Sequence, residues 1–403
     1  MKKGATGSVV RWLMEKAAVT LEDVARETRI DLEKIRQLID GQKKATQQDI
    51  YQLAQFFKIS PAIIALGQIP DRYELEKYVH DFRGKKGSKL SRSARALALH
   101  LFRTIDVYRS AFRTSRKEFV GQFQNQYQSA VKTGLSSPDL VYEIIDAIQV
   151  LLNLPQLQEK AQNTTDFYHR LLYRLENLGV NVVESSIVGT KTRWKIPVQD
   201  FEGLAIADPY LPTIFIHTGI AVTKGRRIFT LVHEFAHLLT GNSAIDYPSF
   251  SMEAAHEDFF NRVTSEALMP KEKFSHYWEE FSKNSSNADE TVNKLHQVFK
   301  TSIEAIYYRS YKMGYISLRQ YKLARAKALE KTHKRKEGTK NTGGGPSFWD
   351  LLPARFGRLY VHTILQAVQD RRISIHEGAE YMGIHTITLY RYLEKLRSEQ
   401  AIT

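Results

Sequence analysis

The feature that most constrains the fold is an apolar segment near the middle of the chain that carries three ionisable side chains. Residues 227–241 read RIFTLVHEFAHLLTG and include His233, Glu234 and His237. Most other positions around these three are apolar, so the segment is predicted to be a buried helix. Positions i and i+4 share one helical face, so both imidazoles extend in the same direction from adjacent turns. Burying these groups is costly unless they have partners.

This pattern is the H-E-x-x-H arrangement of a metal site. Two imidazoles one turn apart can bind one metal ion, and Glu234 can take a proton from a water molecule at the open position of that ion. The chain has no Cys, so a metal ion must be held by His, Asp or Glu. The alternative interpretation of the five residues is coincidence. We predict a Zn²⁺ site at His233 and His237 and keep Mn²⁺ as the alternative ion.

A third ligand is expected from a second helix, because a catalytic zinc ion usually has three protein ligands and one open position. Residues 251–270 read SMEAAHEDFFNRVTSEALMP, and Glu257 and Asn261 share a helical face there. Glu257 is the predicted third ligand, and Asn261 is predicted to hold a ligating histidine through its free ring nitrogen. Three neighbours compete for the ligand role: Glu253, His256 and Asp258.

Three ordered blocks make the chain resemble the ImmA/IrrE family of metallopeptidases. The blocks are FTLVHEFAHLLTG, an E-x-x-x-N pattern at 257–261 that leads to ALMP at 267–270, and FKTSIEAIYYRSYKMGYIS at 299–317. In the third block Ser302, Ala305, Arg309 and Gly314 match the family pattern, whereas Thr301 and Ser310 depart from it. The resemblance covers roughly residues 175–355.

The resemblance implies a zincin-like metalloendopeptidase of the gluzincin type. It also implies a protein substrate, namely a regulator such as a helix-turn-helix repressor whose cleavage releases stress or mobile-element genes. Such chemistry needs an electrophile for the oxyanion, and Tyr308 and Arg309 are the candidates that we retain. The alternative is that these side chains belong to an aromatic core. The predicted strand TIFIHTG at 213–219 precedes the metal helix, and an edge strand at such a place can bind an extended peptide by main-chain pairing. His217 lies on this strand and is either a substrate-side residue or an ordinary surface histidine.

The N-terminal residues 21–39, LEDVARETRIDLEKIRQLI, fit a helix-turn-helix. Thr20 is predicted to cap a helix that begins at Leu21, and Asp31 to cap one that begins at Leu32. Arg29 occupies the turn position that usually holds Gly. With the helices that follow, the segment resembles an XRE-type repressor domain. The side chains predicted to face DNA are Lys34, Arg36 and Gln37, although protein binding is an equally open role for such a domain.

The net charge is +14, and most of the excess lies in two stretches, 83–118 and 322–340. Basic runs of this kind are either solvated faces or phosphate-binding surfaces. DNA is therefore a possible partner of these stretches and of residues 1–70. A second helix-turn-helix spacing occurs at 373–396, but seven basic and six acidic residues over 346–403 favour a packing helix pair there.

The predicted fold is mainly α with a small mixed β-sheet. Residues 180–188 and 213–219 are β-branched and predict strands, while Gly203, Pro209 and Pro212 predict turns between them. The predicted divisions are an XRE-like helix-turn-helix domain at 1–70, a helical linker region at 71–174, a zincin-like metallopeptidase domain at 175–335, and a Gly-rich linker with a helical tail at 336–403.

We expect a cytoplasmic enzyme without membrane contact. The N-terminus meets charge too early for a signal peptide, and no stretch approaches eighteen apolar residues. The leading hypothesis is a zinc-dependent, site-specific metalloprotease that acts on a protein regulator. The alternatives are an XRE-type DNA-binding transcription regulator whose metallopeptidase domain senses or scaffolds, and an antitoxin-like partner of a toxin. An intact Glu234 favours the enzyme, because a scaffold has no need of a base there.

Overall fold

The computed structural model describes residues 5–17, 19–57, 59, 61–68, 91–112, 117–133, 138–197, 202–219, 222–242, 244–246, 255–327 and 347–400. The chain forms two compact units. Unit 1 consists of Met1–Ser115, Ser185–Asp200 and Ser347–Thr403, and unit 2 consists of Arg116–Glu184 and Phe201–Pro346. Each unit is therefore assembled from separate segments of the chain. The four-part division suggested by the sequence remains a prediction.

Unit 1 is helical apart from one short hairpin. Its helices are α1 (Ala5–Ala17), α2 (Leu21–Thr28), α3 (Leu32–Ile39), α4 (Gln47–Phe57), α5 (Pro61–Leu66), α6 (Arg92–Phe112), α16 (Phe348–Phe356), α17 (Arg358–Gln369), α18 (Ile375–Met382) and α19 (Thr386–Gln400). Strands β2 (Ile187–Val188) and β3 (Lys191–Lys195) form an antiparallel hairpin. The hairpin and helix α6 pack together, and the ring of Trp194 meets Phe56 edge-on.

Helices α2 and α3 begin where the sequence predicted them to begin. The Thr20 side chain accepts a hydrogen bond from the backbone of Asp23, and Asp31 accepts one from Lys34. Arg29 has a φ of 59°, the left-handed conformation that the turn requires and that Gly adopts most easily. The two helices are therefore joined by a short turn despite the missing Gly.

Helices α18 and α19 repeat this arrangement at the other end of the chain. Ser374 caps α18, and Gly383 ends that helix with a φ of 63°. Helix α6 reaches the same place, because a terminal guanidinium nitrogen of the buried Arg103 donates to the carbonyl oxygen of Glu380 at 3.0 Å. The C-terminal helices are thus held in unit 1 by a charged side chain from the middle of the chain.

Unit 2 contains the remaining helices and a small mixed sheet, as the sequence predicted. Its helices are α7 (Gln124–Thr133), α8 (Pro138–Leu152), α9 (Leu154–Lys160), α10 (Thr164–Asn177), α11 (Lys224–Leu239), α12 (Ala255–Leu268), α13 (Lys271–Lys283), α14 (Ala288–Phe299) and α15 (Ile303–Lys312), with a further helical segment at 318–327. Its strands are β1 (Asn181–Ser185), β4 (Gly203–Ile206), β5 (Thr213–His217) and β6 (Ala244–Asp246), in the order β1-β5-β4-β6.

Two details of the sheet differ from the sequence prediction. Gly203 is the first residue of β4 and does not lie in a turn. At this position β4 approaches helix α11 so closely that a side chain on residue 203 would collide with the helix, so the strand requires Gly there. Strand β5 lies between β1 and β4, so both of its edges are already paired and it cannot bind an extended peptide by main-chain pairing.

Within the described residues, no single helix is both long and apolar enough to cross a membrane. Helices α8 and α9 pass such a test only as a pair, by length and composition, and they are bent by 49° at their junction. The apolar side chains of α8, including Ile144, Ile148 and Leu152, are buried in the core of unit 2.

Candidate metal centre

Helix α11 is fixed at both ends. The Thr223 side chain accepts a hydrogen bond from the backbone of Arg226 at the start of the helix. At the other end, the backbone N–H groups of Gly121 and Phe123 donate to the carbonyl oxygens of Leu238 and Leu239, both at 3.0 Å. These bonds satisfy carbonyl groups that the helix leaves without partners. The short segment before α7 thereby anchors the helix that carries the H-E-x-x-H motif.

The predicted ligands lie together on helices α11 and α12. The Nε2 atoms of His233 and His237 are 3.2 Å apart, and Oε2 of Glu257 is 3.4 Å from Nε2 of His233. One ligand atom from each residue lies within 4.8 Å of the others. Both histidines are buried, whereas the Glu257 side chain is 19% exposed. The cluster therefore opens to solvent on the side of Glu257.

This donor set fits a zinc ion. Bonds of about 2.0–2.1 Å in tetrahedral geometry separate neighbouring ligand atoms by about 3.3 Å. The two measured separations of 3.2 and 3.4 Å agree with that value. Two imidazole nitrogens and one carboxylate oxygen are also the ligands of one common class of catalytic zinc site. The structure thus brings together the three residues that the sequence proposed as ligands, while the identity of the ion stays a prediction.

Aromatic side chains orient the two imidazoles. The ring of Phe260, on α12, lies 3.7 Å from the ring of His237, measured between centroids. Phe229 stacks on His233 from one turn earlier in α11. Because these rings are buried, the histidines have little freedom to rotate. The apolar environment of the motif could be predicted from the sequence, but these particular contacts could not.

Glu234 lies on a different face of α11 from the histidines. Arg226, Thr230 and Glu234 are spaced by four residues and face strand β4. Glu234 is fully buried, and a β-carbon at Gly203 would stand 2.3 Å from its Oε1 atom. The backbone of β4 therefore forms a wall against this carboxylate. The signal for this contact in the sequence is a single Gly directly before the apolar residues 204–207, at a position where the sequence predicts a turn.

The remaining side chains of α12 have clear positions. Asn261 is buried one turn after Glu257, and no hydrogen bond joins it to His233 or His237 among the described residues. Its proposed contact with a ligating histidine stays a prediction. Asp258 accepts hydrogen bonds from the Tyr308 hydroxyl at 3.1 Å and from Lys312 at 2.8 Å, so it is engaged by helix α15. The side chains of Glu253 and His256 lie outside the described residues.

The two oxyanion candidates are buried on α15, and both contact α12. Tyr308 donates to Asp258, and burial together with this carboxylate raises the pKa of the Tyr308 hydroxyl above its ordinary value. Arg309 forms an ion pair with Glu266. Each candidate thus has a structural role in joining α15 to the helix of Glu257. Their part in stabilising an oxyanion stays a prediction.

His217 lies at the end of β5 and is buried, contrary to the surface alternative. Its Nδ1 atom accepts a hydrogen bond from the backbone of Gly219 at 2.8 Å. An accepting Nδ1 requires that any proton on the ring be carried by Nε2. His217 is therefore a buried, hydrogen-bonded residue at the end of β5 and not a surface side chain.

The residues predicted to face DNA lie on α3 in unit 1. Lys34 forms a hydrogen-bonded ion pair with the buried carboxylate of Asp49 at 2.7 Å. The Arg36 side chain is 53% exposed and pairs with Glu33, and Gln37 is half-buried. Of the three, only Arg36 presents a largely exposed side chain. A role of these residues in binding nucleic acid stays a prediction.

The two basic stretches are only partly covered by the structure. Residues 91–112 and 117–118 of the first stretch are described, and so are residues 322–327 of the second. Helix α6 belongs to the first stretch, yet its Arg103 is buried against the C-terminal helices. This basic residue therefore stabilises unit 1 and is not a surface charge. The other parts of both stretches lie outside the described residues.

Residues 175–311 match the family model of the IrrE N-terminal-like domain, a peptidase family. The match covers about a third of the 403 residues and includes helix α11 and the three residues of the metal cluster. It supports the resemblance to the ImmA/IrrE family and indicates a metallopeptidase domain in this part of the chain. A search of curated proteins and a search of solved structures found no match.

Proposed function

We propose that this protein is a zinc-dependent, site-specific metalloprotease. The observation that carries this proposal is the group of His233, His237 and Glu257, in which both histidines are buried and the ligand atoms lie within 4.8 Å of one another, with Glu234 on the same helix as the histidines. A metallopeptidase family model matches the same segment. A scaffold would not require a buried carboxylate next to the first ligand, because burial of such a group costs free energy.

In this proposal His233, His237 and Glu257 would hold the ion, with one position left for water or substrate. When bound, Zn²⁺ supplies Lewis acidity, which polarises the peptide carbonyl and lowers the pKa of water. Glu234 accepts a proton from the attacking water and passes it to the leaving amine. Mn²⁺ is the alternative ion. Two imidazole ligands favour zinc, whereas manganese prefers sites that consist mainly of oxygen ligands.

The proposed substrate is a protein regulator, specifically a helix-turn-helix repressor. The support is the resemblance to the ImmA/IrrE family, together with the family match over residues 175–311. A single protein target requires recognition beyond the scissile bond. We therefore propose that unit 1, an assembly of short helices, contributes to selection of that target in a stress or mobile-element response in the cytoplasm.

A substrate trap tests this function. The Glu234→Gln variant retains the shape of the side chain and loses the base, so it should bind its target without cleaving it. We expect proteolysis of the captured regulator by the unmodified chain to be about 100- to 10,000-fold faster than by this variant. Glu280→Gln, at an exposed position of α13, is the matched control and should cleave normally. Equal turnover by Glu234→Gln would contradict the proposed role of Glu234.

A second candidate function is DNA binding by unit 1. The observation that favours it is the presence of two helix pairs with left-handed turns, at Arg29 and at Gly383. In helix-turn-helix proteins the second helix of such a pair contacts base edges. Deleting residues 1–70 would disrupt unit 1, which also contains the C-terminal helices. Point substitutions are therefore the better test.

Gel-shift titrations at two salt concentrations would compare Arg36→Ala on α3 with Arg391→Ala on α19. Both side chains are exposed. If α3 reads DNA, Arg36→Ala should weaken specific binding and Arg391→Ala should not. The opposite result would assign the reading helix to the C-terminal pair. If a substitution weakens binding equally for all DNA sequences, the residue contacts only phosphates.

A further inference from the structure

A buried ion triad lies at the start of the metal helix. The guanidinium of Arg226 lies between the carboxylates of Glu202 and Glu304. Its Nε atom donates to Oε2 of Glu202 at 3.2 Å, a terminal nitrogen bonds Oε1 of Glu202, and Nε is 3.4 Å from Oε2 of Glu304. The Glu202 side chain is 6% exposed, and the other two are 13% exposed. A two-point contact of this kind fixes the orientation of both groups.

The triad is joined directly to the wall behind Glu234. Glu202 immediately precedes Gly203, the glycine whose backbone lies against the Glu234 carboxylate. The carbonyl oxygen of Glu202 also accepts a hydrogen bond from the backbone of His217 at 2.9 Å. Glu202 is thus held by its side chain from α11 and by its backbone from β5. A movement of Glu202 would therefore also displace Gly203, because the two residues are adjacent in the chain.

The start of helix α11 is equally constrained. A β-carbon at Gly225 would stand 2.9 Å from the backbone nitrogen of Ser302, so α11 packs tightly on the beginning of α15. Glu304 of the triad lies in the first turn of α15. Arg226 therefore connects three elements, namely α11, α15 and the residue before β4.

We propose that Arg226 and Glu202 are positioning residues for Glu234. Together they hold β4 against α11, so that the backbone of Gly203 stays in contact with the Glu234 carboxylate and fixes its position. Arg226, Thr230 and Glu234 share one face of α11, so the anchor and the group that it positions lie on the same side of one helix. This inference rests on the proposed metalloprotease function, because Glu234 is the proposed base.

The charges of the triad guide the choice of variants. The pKa of Glu202 lies above its ordinary value, because burial and the neighbouring carboxylate of Glu304 raise it by more than Arg226 lowers it. Removing the guanidinium altogether would leave two carboxylates facing each other in a buried site, which threatens folding. Arg226→Lys retains the positive charge but loses the two-point contact. Glu202→Gln retains the shape of the side chain and loses its charge.

Co²⁺ is a suitable probe, because the visible absorption of the bound ion depends on the groups around it. The full chain would be stripped of metal and titrated with Co²⁺, alongside Arg226→Lys, Glu202→Gln and Glu234→Gln. Glu304→Gln is the matched control, since it contacts Arg226 but is not adjacent to Gly203. We expect Arg226→Lys and Glu202→Gln to bind Co²⁺ with the stoichiometry and affinity of the unmodified chain, with spectra shifted toward that of Glu234→Gln. Glu304→Gln should keep the unmodified spectrum.

Spectra of Arg226→Lys and Glu202→Gln that superimpose on the unmodified spectrum would overturn the positioning role. If Arg226→Lys does not fold, Glu202→Gln alone decides, because it preserves the volume of the triad. Failure of the unmodified chain to bind Co²⁺ through His233, His237 and Glu257 is a different result and would contradict the proposed function itself. A shift caused equally by Glu304→Gln would show a general packing effect and would also overturn the specific role of Glu202.

Discussion

The carboxylate of Glu234 and the backbone of Gly203 are in direct contact, although one lies on a helix and the other on a strand. A β-carbon on Gly203 would be 2.3 Å from Oε1 of Glu234 and 2.4 Å from Cγ2 of Thr230. This approach is possible only because residue 203 has no side chain. The contact connects β4, one of the two inner strands of the sheet, to the proposed base of the site.

Gly203→Ala is therefore expected to destabilise unit 2. The added methyl group must displace Glu234, Thr230 or the strand, at a cost of about 1–3 kcal/mol in the free energy of unfolding. Urea denaturation measures this loss. As a matched control, Gly203→Ala is also introduced into a chain that carries Thr230→Ser and Glu234→Ala. The added methyl group has room in that chain, so its cost in the free energy of unfolding should be smaller. A Gly203→Ala chain as stable as the unmodified one would show that the contact is looser than described.

Glu257 and Asp258 are adjacent on α12 but are predicted to behave differently. Glu257→Ala should weaken zinc binding by at least about tenfold, because it removes a predicted ligand. Asp258→Ala should bind zinc normally and lose about 1 kcal/mol of stability, because Tyr308 and Lys312 lose their acceptor. Competition with a zinc chelator measures the first effect, and thermal unfolding measures the second. Reversed outcomes would exchange the roles of the two carboxylates.

The pairing of the two histidines in the metal cluster could be predicted because it depends on the helical period alone, whereas the position of Glu257 also depends on the packing of α12 against α11. His233 and His237 are four residues apart, and Glu257 lies on the face of α12 that meets them. The contact between Gly203 and Glu234 could not be predicted, since it depends on which strand lies against α11. The same holds for the bond from Arg103 to the carbonyl of Glu380, which joins positions separated by 277 residues and leaves no local pattern.

The structure also changes the interpretation of Lys34. A helix-turn-helix spacing places this residue on the second helix, where an exposed Lys would favour DNA contact. The pairing partner is Asp49, which belongs to the next helix and accepts hydrogen bonds from the backbone and hydroxyl of Thr46. Sequence spacing does not reveal that a buried carboxylate lies opposite Lys34, because the two residues lie on different helices, α3 and α4, and their pairing depends on tertiary packing.

Asp49 should make the stability of unit 1 sensitive to acid. Burial raises the pKa of Asp49, but the hydrogen bonds from Lys34 and Thr46 outweigh it and hold this pKa below its ordinary value. A carboxyl group whose pKa is lower in the folded state contributes its full stabilisation at any pH above its unfolded pKa of about 3.9. This contribution is lost as the pH falls through the folded-state pKa. When unfolding is monitored between about pH 5 and 2, the free energy of unfolding should decrease less in Asp49→Asn than in the unmodified chain. The same loss in both proteins would contradict this account.

Arg103 should be important for the stability of unit 1. Its buried guanidinium donates to the carbonyl of Glu380, and Arg103→Met leaves that helix end without this donor. We expect a loss of about 1.5–3 kcal/mol, as for a hydrogen bond from a charged group. Arg372→Met is the matched control, since its side chain is 56% exposed and pairs only at the surface with Asp370. Equal thermal stability of both variants would show that Arg103 does not anchor the C-terminal helices.

The metal content of the purified chain tests the central claim most directly. The unmodified protein should contain about one zinc ion per chain by elemental analysis, as expected for a three-ligand site. The double variant His233→Ala/His237→Ala should contain none, and the control His276→Ala, an exposed histidine of α13, should keep the ion. Full retention of zinc in the double variant, or its absence from the unmodified chain after incubation with Zn²⁺, would contradict the account.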